Sequence, residues 1–423
     1  MKRILIAAAV TAALVVRPAY AATADKTYEQ LKLLVDVLGF VRDNYVDEPE
    51  TQKLIYGAAT GMVRILDPYS QFMEPEIHRE MRTETEGQFG GVGLRLTLKD
   101  SWLTVQTPMP GSPAYRLGVL PNDRVIEIDG VATRDMDMSD ALRTLRGAPG
   151  TKVKLKLERG SDDGSEGNWK TVAVEITREL VKIESTISVT LDGGVGYLRI
   201  AEFSAKTSDD ACDALKKLKK DGATSLVLDL RNNPGGLLSA GVEVASIFLG
   251  EAKLIVYTQG RKADSRQDFT TGAKAPYPVL PLVVLINGGS ASASEIVAGA
   301  MQDHKRAVVV GERSFGKASV QSLIPLPDGS GLRLTVARYY TPSGRSIHRD
   351  EKNKTGGIMP DIVVPVTQEA EAKLYAQWEM IYAKDKKPRS AVKTEEMVRD
   401  EALERAVELL KARDVLSALK REG

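Results

Sequence analysis

The sequence predicts a multidomain α/β protein: a helical N-terminal region, an inserted mostly β module, an α/β core and a helical C-terminal segment. Three observations carry this. Apolar residues recur at helical spacing from Tyr28 to Leu66 (Leu31, Leu34, Val35, Leu38, then Ile55, Ala58, Met62, Ile65). Between residues 84 and 178 the texture changes to short alternating runs, LRLTL, LTVQT, RVIEIDG and KVKLKLERG, separated by Gly/Pro turns. From Gly194 onward strand-like and helix-like stretches alternate, which argues for parallel pairing in one sheet.

The chain opens on MKRILIAAAVTAALVVRPAYAATA. Two basic residues, an apolar run from Ile4 to Val16 and Ala19-Tyr20-Ala21 form the pattern of a secretory signal over 1–21, with cleavage after Ala21 or Ala24. The expected location is therefore periplasmic or secreted, or membrane-associated if the signal stays on as an anchor. A helical region over 25–83 follows, broken by DNYVDEPE, which supplies turn chemistry. The charge balance, Lys+Arg 58 against Asp+Glu 57, gives no global field toward nucleic acid. The single cysteine, Cys212, excludes an internal disulfide and reads as a small buried residue on a helix.

Within the β module one helical patch lies around MSDALRTLRG, and GSDDGSEGNWK reads as an exposed hairpin loop. The core, 179–366, runs VGYLRI, SDDACDALKKLKKDG, SLVLDL, a glycine turn, LLSAGVEVASIFL, PLVVLIN, SASEIVAGAMQD and AVVVGE. The tail, 367–423, is charged, and EALERAVELLKARDVLSALK is amphipathic enough to pack on its own core or on another chain.

GERSFGKASVQ (311–321) has most of the spacing of a phosphate-binding loop, but Ala318 stands where magnesium needs a hydroxyl. KASVQSLIPL also alternates like a strand instead of opening a helix on the phosphates. In a strand Lys317, Ser319 and Gln321 share one face.

LINGGSASASEIVAGA carries a strand into a helix and leaves Ser290, Ser292 and Ser294 near the turn. Each is a nucleophile candidate and each is equally placed as a cap; Ser292-x-x-Glu295 has the spacing of a capping box. A serine nucleophile needs a base, and the histidines are only His78, His304 and His348. His304 falls at the far end of the helix after Ser292, roughly 18 Å along it. Lysine serves instead where burial keeps it neutral, and the apolar, glycine-rich surroundings of Lys317 permit that. LVLDLRNNPGGLL places exposed backbone N–H groups at the carboxyl edge of the sheet. Gly236 N–H and Ala293 N–H are thereby candidates for an oxyanion hole, with the helix dipole behind Ala293.

GQFGGVGLRL followed by GSPA, LG, PND and IDG resembles a PDZ module. That resemblance implies that Gly90, Gly91, Val92 and Gly93 form a loop offering N–H groups to a peptide's terminal carboxylate, the peptide adding as an edge strand. A PDZ-like fold with a closed groove is the alternative.

LDPYSQFM, the PDZ-like module, LDLRNNPGGLL, GGSASASEI, GERSFGKASVQ and TVARYYTPSGRSIHRDEKNKTGGIMPDIVV occur in the order seen in the carboxy-terminal processing (tail-specific) proteases, and the chain resembles that family over nearly its whole mature length. The resemblance implies a crotonase/ClpP-like α/β protease core, Ser292 as nucleophile, Lys317 as general base, Gln321 orienting the lysine, and Gly236 and Ala293 as oxyanion donors. It implies an acyl-enzyme route with no cofactor and no metal, protein or peptide substrates with free C-termini, a homodimer through terminal helices and an adaptor protein. Arg146 in LRG is a candidate relay between the PDZ-like and catalytic parts, or an ordinary surface arginine. Tyr69 departs from the histidine the family often carries there. The rival from another class is a catalytically silent scaffold that binds protein C-termini. A crotonase-like acyl-transfer enzyme would share the core but have no use for a module that reads C-termini.

Overall fold

A computed structural model describes residues 27–422 apart from 100–101, 110, 121, 135, 137, 161–168, 183–184, 273–274, 351–354, 368–369, 371–372, 375–376 and 378–397. The segment 1–21 read as a secretory signal, the tip of the GSDDGSEGNWK hairpin and much of the segment before the last helix lie outside these residues.

The chain divides into two compact units. The smaller takes residues up to His78 together with Ser322–Thr335. It holds a helix over 27–44, the helix Thr51–Arg64 and the strand Gln71–Met73, which pairs antiparallel with Gly331–Arg333. Met73, Phe72 and Val63 are its buried apolar residues, and the Tyr56 ring lies 5.1 Å from that of Phe72. Leu31, Leu34 and Val35 follow the helical spacing read from the sequence yet are exposed. The LDPYS turn is held by Asp67, whose carboxylate accepts the N–H groups of Tyr69 and Ser70 and the Ser70 hydroxyl.

The larger unit contains the β module and the α/β core. In the module the strands Leu94–Lys99, Trp102–Pro108, Arg124–Ile128, Lys152–Gly160 and Trp169–Thr177 lie side by side, all antiparallel. Val153, Leu155 and Leu157 point inward from alternate positions and pack with Leu103, Val105, Val125 and Ile176, so the period-two pattern becomes one buried face. The helix Met138–Leu145 covers that face through Ala141 and Leu145.

The core is a six-stranded sheet in the order Thr186–Leu191, Val195–Ile200, Ser225–Asp229, Leu282–Ile286, Val308–Gly311, Ile362–Val363. The first two strands form an antiparallel hairpin and the remaining pairings are parallel. Its parallel strands are apolar on both faces, as strands covered on both sides must be. Leu226, Leu228, Val284 and Ile286 meet the helices Thr207–Lys220, Leu238–Phe248 and Ala293–Asp303, while Val227, Val283 and Leu285 meet Ala402, Ala406 and Leu410 of the helix Glu401–Glu422. The last helix thus closes the second face with residues spaced four apart. Cys212, expected to be buried, is half-buried on Thr207–Lys220, and its partial burial raises its thiol pKa.

Candidate active site

Three turns at the carboxyl ends of Ser225–Asp229, Leu282–Ile286 and Val308–Gly311 build the site. The first two are stitched together by amide side chains. Asn232 N–H donates to Asn287 Oδ1 and Asn287 Nδ2 to Asn232 Oδ1, both at 2.8 Å. Asn233 Oδ1 accepts Gly235 N–H at 2.9 Å, Asn233 Nδ2 reaches Ile200 O, and Asn233 O accepts Ala291 N–H.

This stitching separates the three serines. The hydroxyl of Ser290 donates to Leu230 O and that of Ser294 to Asn233 O, and both residues are fully buried. Their chemistry is spent on holding the turns. Ser292 is only partly buried and sits at φ 54°, ψ −114°, a left-handed conformation that a non-glycine residue adopts at a cost. It lies directly before the helix Ala293–Asp303, at the positive end of its dipole.

The glycine turn presses against this corner. A Cβ on Gly235 would lie 2.6 Å from Ser292 Cβ and 3.0 Å from Ala293 N, so only glycine fits there. Gly236, at φ 140°, is held by its neighbours: Phe203 N–H donates to Gly235 O and Leu237 N–H to Phe203 O. Among the described residues neither Gly236 N–H nor Ala293 N–H donates to a protein acceptor. Two backbone donors, one next to Ser292 in sequence and one next to Gly235, thus have no internal use.

The third turn brings Lys317. Glu295, one turn into the helix and 1% exposed, accepts from four donors. Its Oε2 takes Ser292 N–H and Lys317 N–H at 2.9 Å each; its Oε1 takes Gly316 N–H at 2.7 Å and the Ser314 hydroxyl at 2.5 Å. Burial raises the Glu295 carboxyl above its ordinary pKa, and these four bonds pull against that rise. Phe315 N–H donates to Ser290 O, and Tyr339 fixes the next step, its hydroxyl on Lys317 O and its N–H on Ala318 O. The strand Ser319–Pro325 follows, with Gln321 half-buried in it, as expected of a strand and not of a phosphate-binding loop. His304 caps the far end of the Ser292 helix, its Nε2 on Leu254 O.

Beneath the glycine turn lies a buried ion network. Arg231, 4% exposed, binds Asp229, itself wholly buried, through Nε and Nη2, and Tyr197 Oη donates to Asp229 Oδ2 at 2.8 Å. Burial alone would raise the Asp229 carboxyl; the guanidinium of Arg231 overrides it and holds the carboxyl below its usual value.

In the β module the four residues expected to form one carboxylate loop divide. Gly90 and Gly91 lie in a strand, Gln88–Gly91, paired with Glu179–Lys182, and only Val92 and Gly93 are in the loop. The cause is close packing: Gly90 O accepts Gly147 N–H, and a Cβ on Gly90 would sit 2.3 Å from Gly147 O. Gly93, at φ 76°, packs on Ser112, whose hydroxyl donates to Gly93 O. Arg146 bridges Gly91, and its guanidinium lies over the Phe89 ring at 5.3 Å.

Sequence reasoning saw Glu295 only as a cap partner and passed over Asp229, Arg231, Asn233 and Asn287. The usable signal was polar residues inside apolar strand ends, LDLRNN and LIN.

Comparison with known proteins matches residues 194–364 to Peptidase family S41, residues 104–159 to the PDZ domain and residues 10–77 to the Activating protease CtpB N-terminal domain. The carboxy-terminal-processing protease of Bartonella bacilliformis is 42% identical over 342 residues, 80% of this chain and 76% of that protein. The carboxyl-terminal-processing protease of Synechocystis is 40% identical over 333 residues, 77% of this chain and 74% of that protein. Among solved structures, the photosystem II D1 C-terminal processing protease is 32% identical with a TM-score of 0.43, covering 78% of this chain and 92% of that one. The chain belongs to the carboxy-terminal-processing proteases of peptidase family S41: it is a serine peptidase that carries a PDZ domain.

Proposed function

We propose that the protein is an exported, periplasmic endopeptidase that reads substrate C-termini through the PDZ module (84–178) and cuts peptide bonds in the core (179–366) with Ser292 and Lys317. The observation that carries the reading is the Glu295 bridge, which hangs the backbones of Ser292 and Lys317 from one oxygen. Ser292 Oγ attacks the scissile carbonyl and neutral Lys317 takes its proton. The oxyanion rests on Gly236 N–H and Ala293 N–H, lysine returns the proton to the leaving amine, and water then hydrolyses the acyl-enzyme. Gln321, two positions along the strand face from Ser319, orients the lysine. Arg146 joins the segment Gln88–Gly91 to the helix Met138–Leu145 and relays occupancy of the PDZ groove.

Export rests on the pattern over 1–21, and N-terminal sequencing of the protein from fractionated cells checks it. The exposed apolar stripe of the helix 27–44 supports association of two copies, which sedimentation tests.

The deciding experiment is cleavage of unstructured peptides with apolar C-termini, free or amidated, by wild type, Ser292→Ala and Lys317→Ala, read by mass spectrometry. Loss in both variants and weakening by amidation is expected; cleavage by Ser292→Ala overturns the assignment.

A further inference from the structure

The buried ion network has a third member from the far end of the chain. Asp400 Oδ1 accepts Arg231 Nη1 at 2.8 Å and Asp400 Oδ2 accepts Nη2 at 2.9 Å, across 169 residues of sequence. The guanidinium is therefore gripped on one edge by Asp229 and on the other by Asp400, a two-point contact of the kind that fixes its plane. The same Asp400 carboxylate accepts Leu403 N–H and so caps the helix Glu401–Glu422. Arg199, paired in register with Asp229 on the neighbouring strand, and Tyr197 complete the polar surroundings.

Arg231 is the residue before Asn232, which stands at φ 57° and exchanges both amide bonds with Asn287. From there the chain runs through Asn233 to Gly236. A guanidinium held on one edge only would let Arg231 rock, and the displaced backbone is the one that carries an oxyanion donor. We propose that Asp400 is a positioning residue for the Asn232–Gly236 turn, so that the C-terminal helix is a working part of the catalytic frame and not merely a cover for the sheet. The proposal rests on the Ser292 and Lys317 reading above.

The test compares full-length Asp400→Asn, Asp400→Glu and Leu410→Ala with wild type and Ser292→Ala in peptide cleavage, alongside thermal unfolding. Asparagine keeps the shape but turns an NH2 toward one guanidinium nitrogen. Leu410→Ala loosens the same helix from the sheet without touching Arg231. The expected result is a kcat lowered at least about 10-fold in Asp400→Asn with KM nearly unchanged, the pattern of a contact needed only in the transition state. Asp400→Glu should recover part of it, and Leu410→Ala should lower the melting temperature while keeping kcat per folded molecule. If kcat in Asp400→Asn stays at wild type, or falls only in step with stability as in Leu410→Ala, the positioning role is overturned while the dyad stands. Cleavage by Ser292→Ala instead overturns the underlying reading, and the proposal with it.

Discussion

The backbone N–H groups of Ser292 and Lys317 converge on one oxygen, Glu295 Oε2, at 2.9 Å each. The two residues are 25 positions apart in sequence, yet their nitrogens can be no farther apart than those two bonds allow. A helix-capping glutamate thus ties the backbones of these two residues together.

Glu295→Gln should therefore cost both stability and activity. The amide keeps one acceptor but turns an NH2 toward buried donors, and an unsatisfied buried group costs about 1–3 kcal/mol. Denaturant melts and peptide cleavage read the two effects, and a loss of kcat larger than the loss of folded protein is expected.

Gly236→Ala should abolish most turnover. The new Cβ would lie 2.1 Å from Phe203 O, so the turn must move and its N–H with it. Loss of one oxyanion donor lowers kcat by about 10²- to 10³-fold. Steady-state kinetics with a matched Gly250→Ala control, a site with open space around it, isolates the effect.

The two buried carboxylates have opposite signs in pH. Asp229 is held below its ordinary pKa, so its stabilisation is present above the unfolded value and is lost as pH falls through the folded one. Glu295 is raised, so its contribution is full below the unfolded value and declines as pH rises through the folded one. Asp229→Asn should flatten the acid limb of a melting-temperature profile and Glu295→Gln should not. The mechanism proposed above requires activity to rise with pH; a flat rate from mildly acid to alkaline buffer would count against lysine as base.

Arg146→Ala should leave the fold intact, since a half-exposed cation over a ring contributes about 0.5–1 kcal/mol. The readout is the ratio of cleavage of free to amidated peptides, which should fall toward one if Arg146 couples the PDZ groove to the core.

Most of the fold could be read from the chain because its signals are local. The alternation of KVKLKLERG and the apolar run SLVLDL fix a half-exposed strand and a buried one without tertiary knowledge. The site was half legible. The run of three serines, Lys317 and the glycine turn stand out by residue type and spacing, whereas the choice of Ser292 among the three came from the family resemblance. Glu295 did not, because a capping glutamate and one that also receives a distant loop have the same sequence. Gly90 and Gly91 were misplaced for a related reason: glycine signals close approach as readily as a loop, and here the approach is to Gly147. Asp400 is separated from Arg231 by 169 residues, and no periodicity reports that contact.

That separation also sets an order of events. Ser292 and Lys317 enter the growing chain well before Asp400, and a contact so distant in sequence closes late because its loop is long. The clamp on Arg231 is complete only when the last helix has docked on the sheet, so until then the turn Asn232–Gly236 follows a guanidinium held by Asp229 without Asp400. A chain interrupted before residue 400 would hold both Ser292 and Lys317 and still lack one jaw of that clamp.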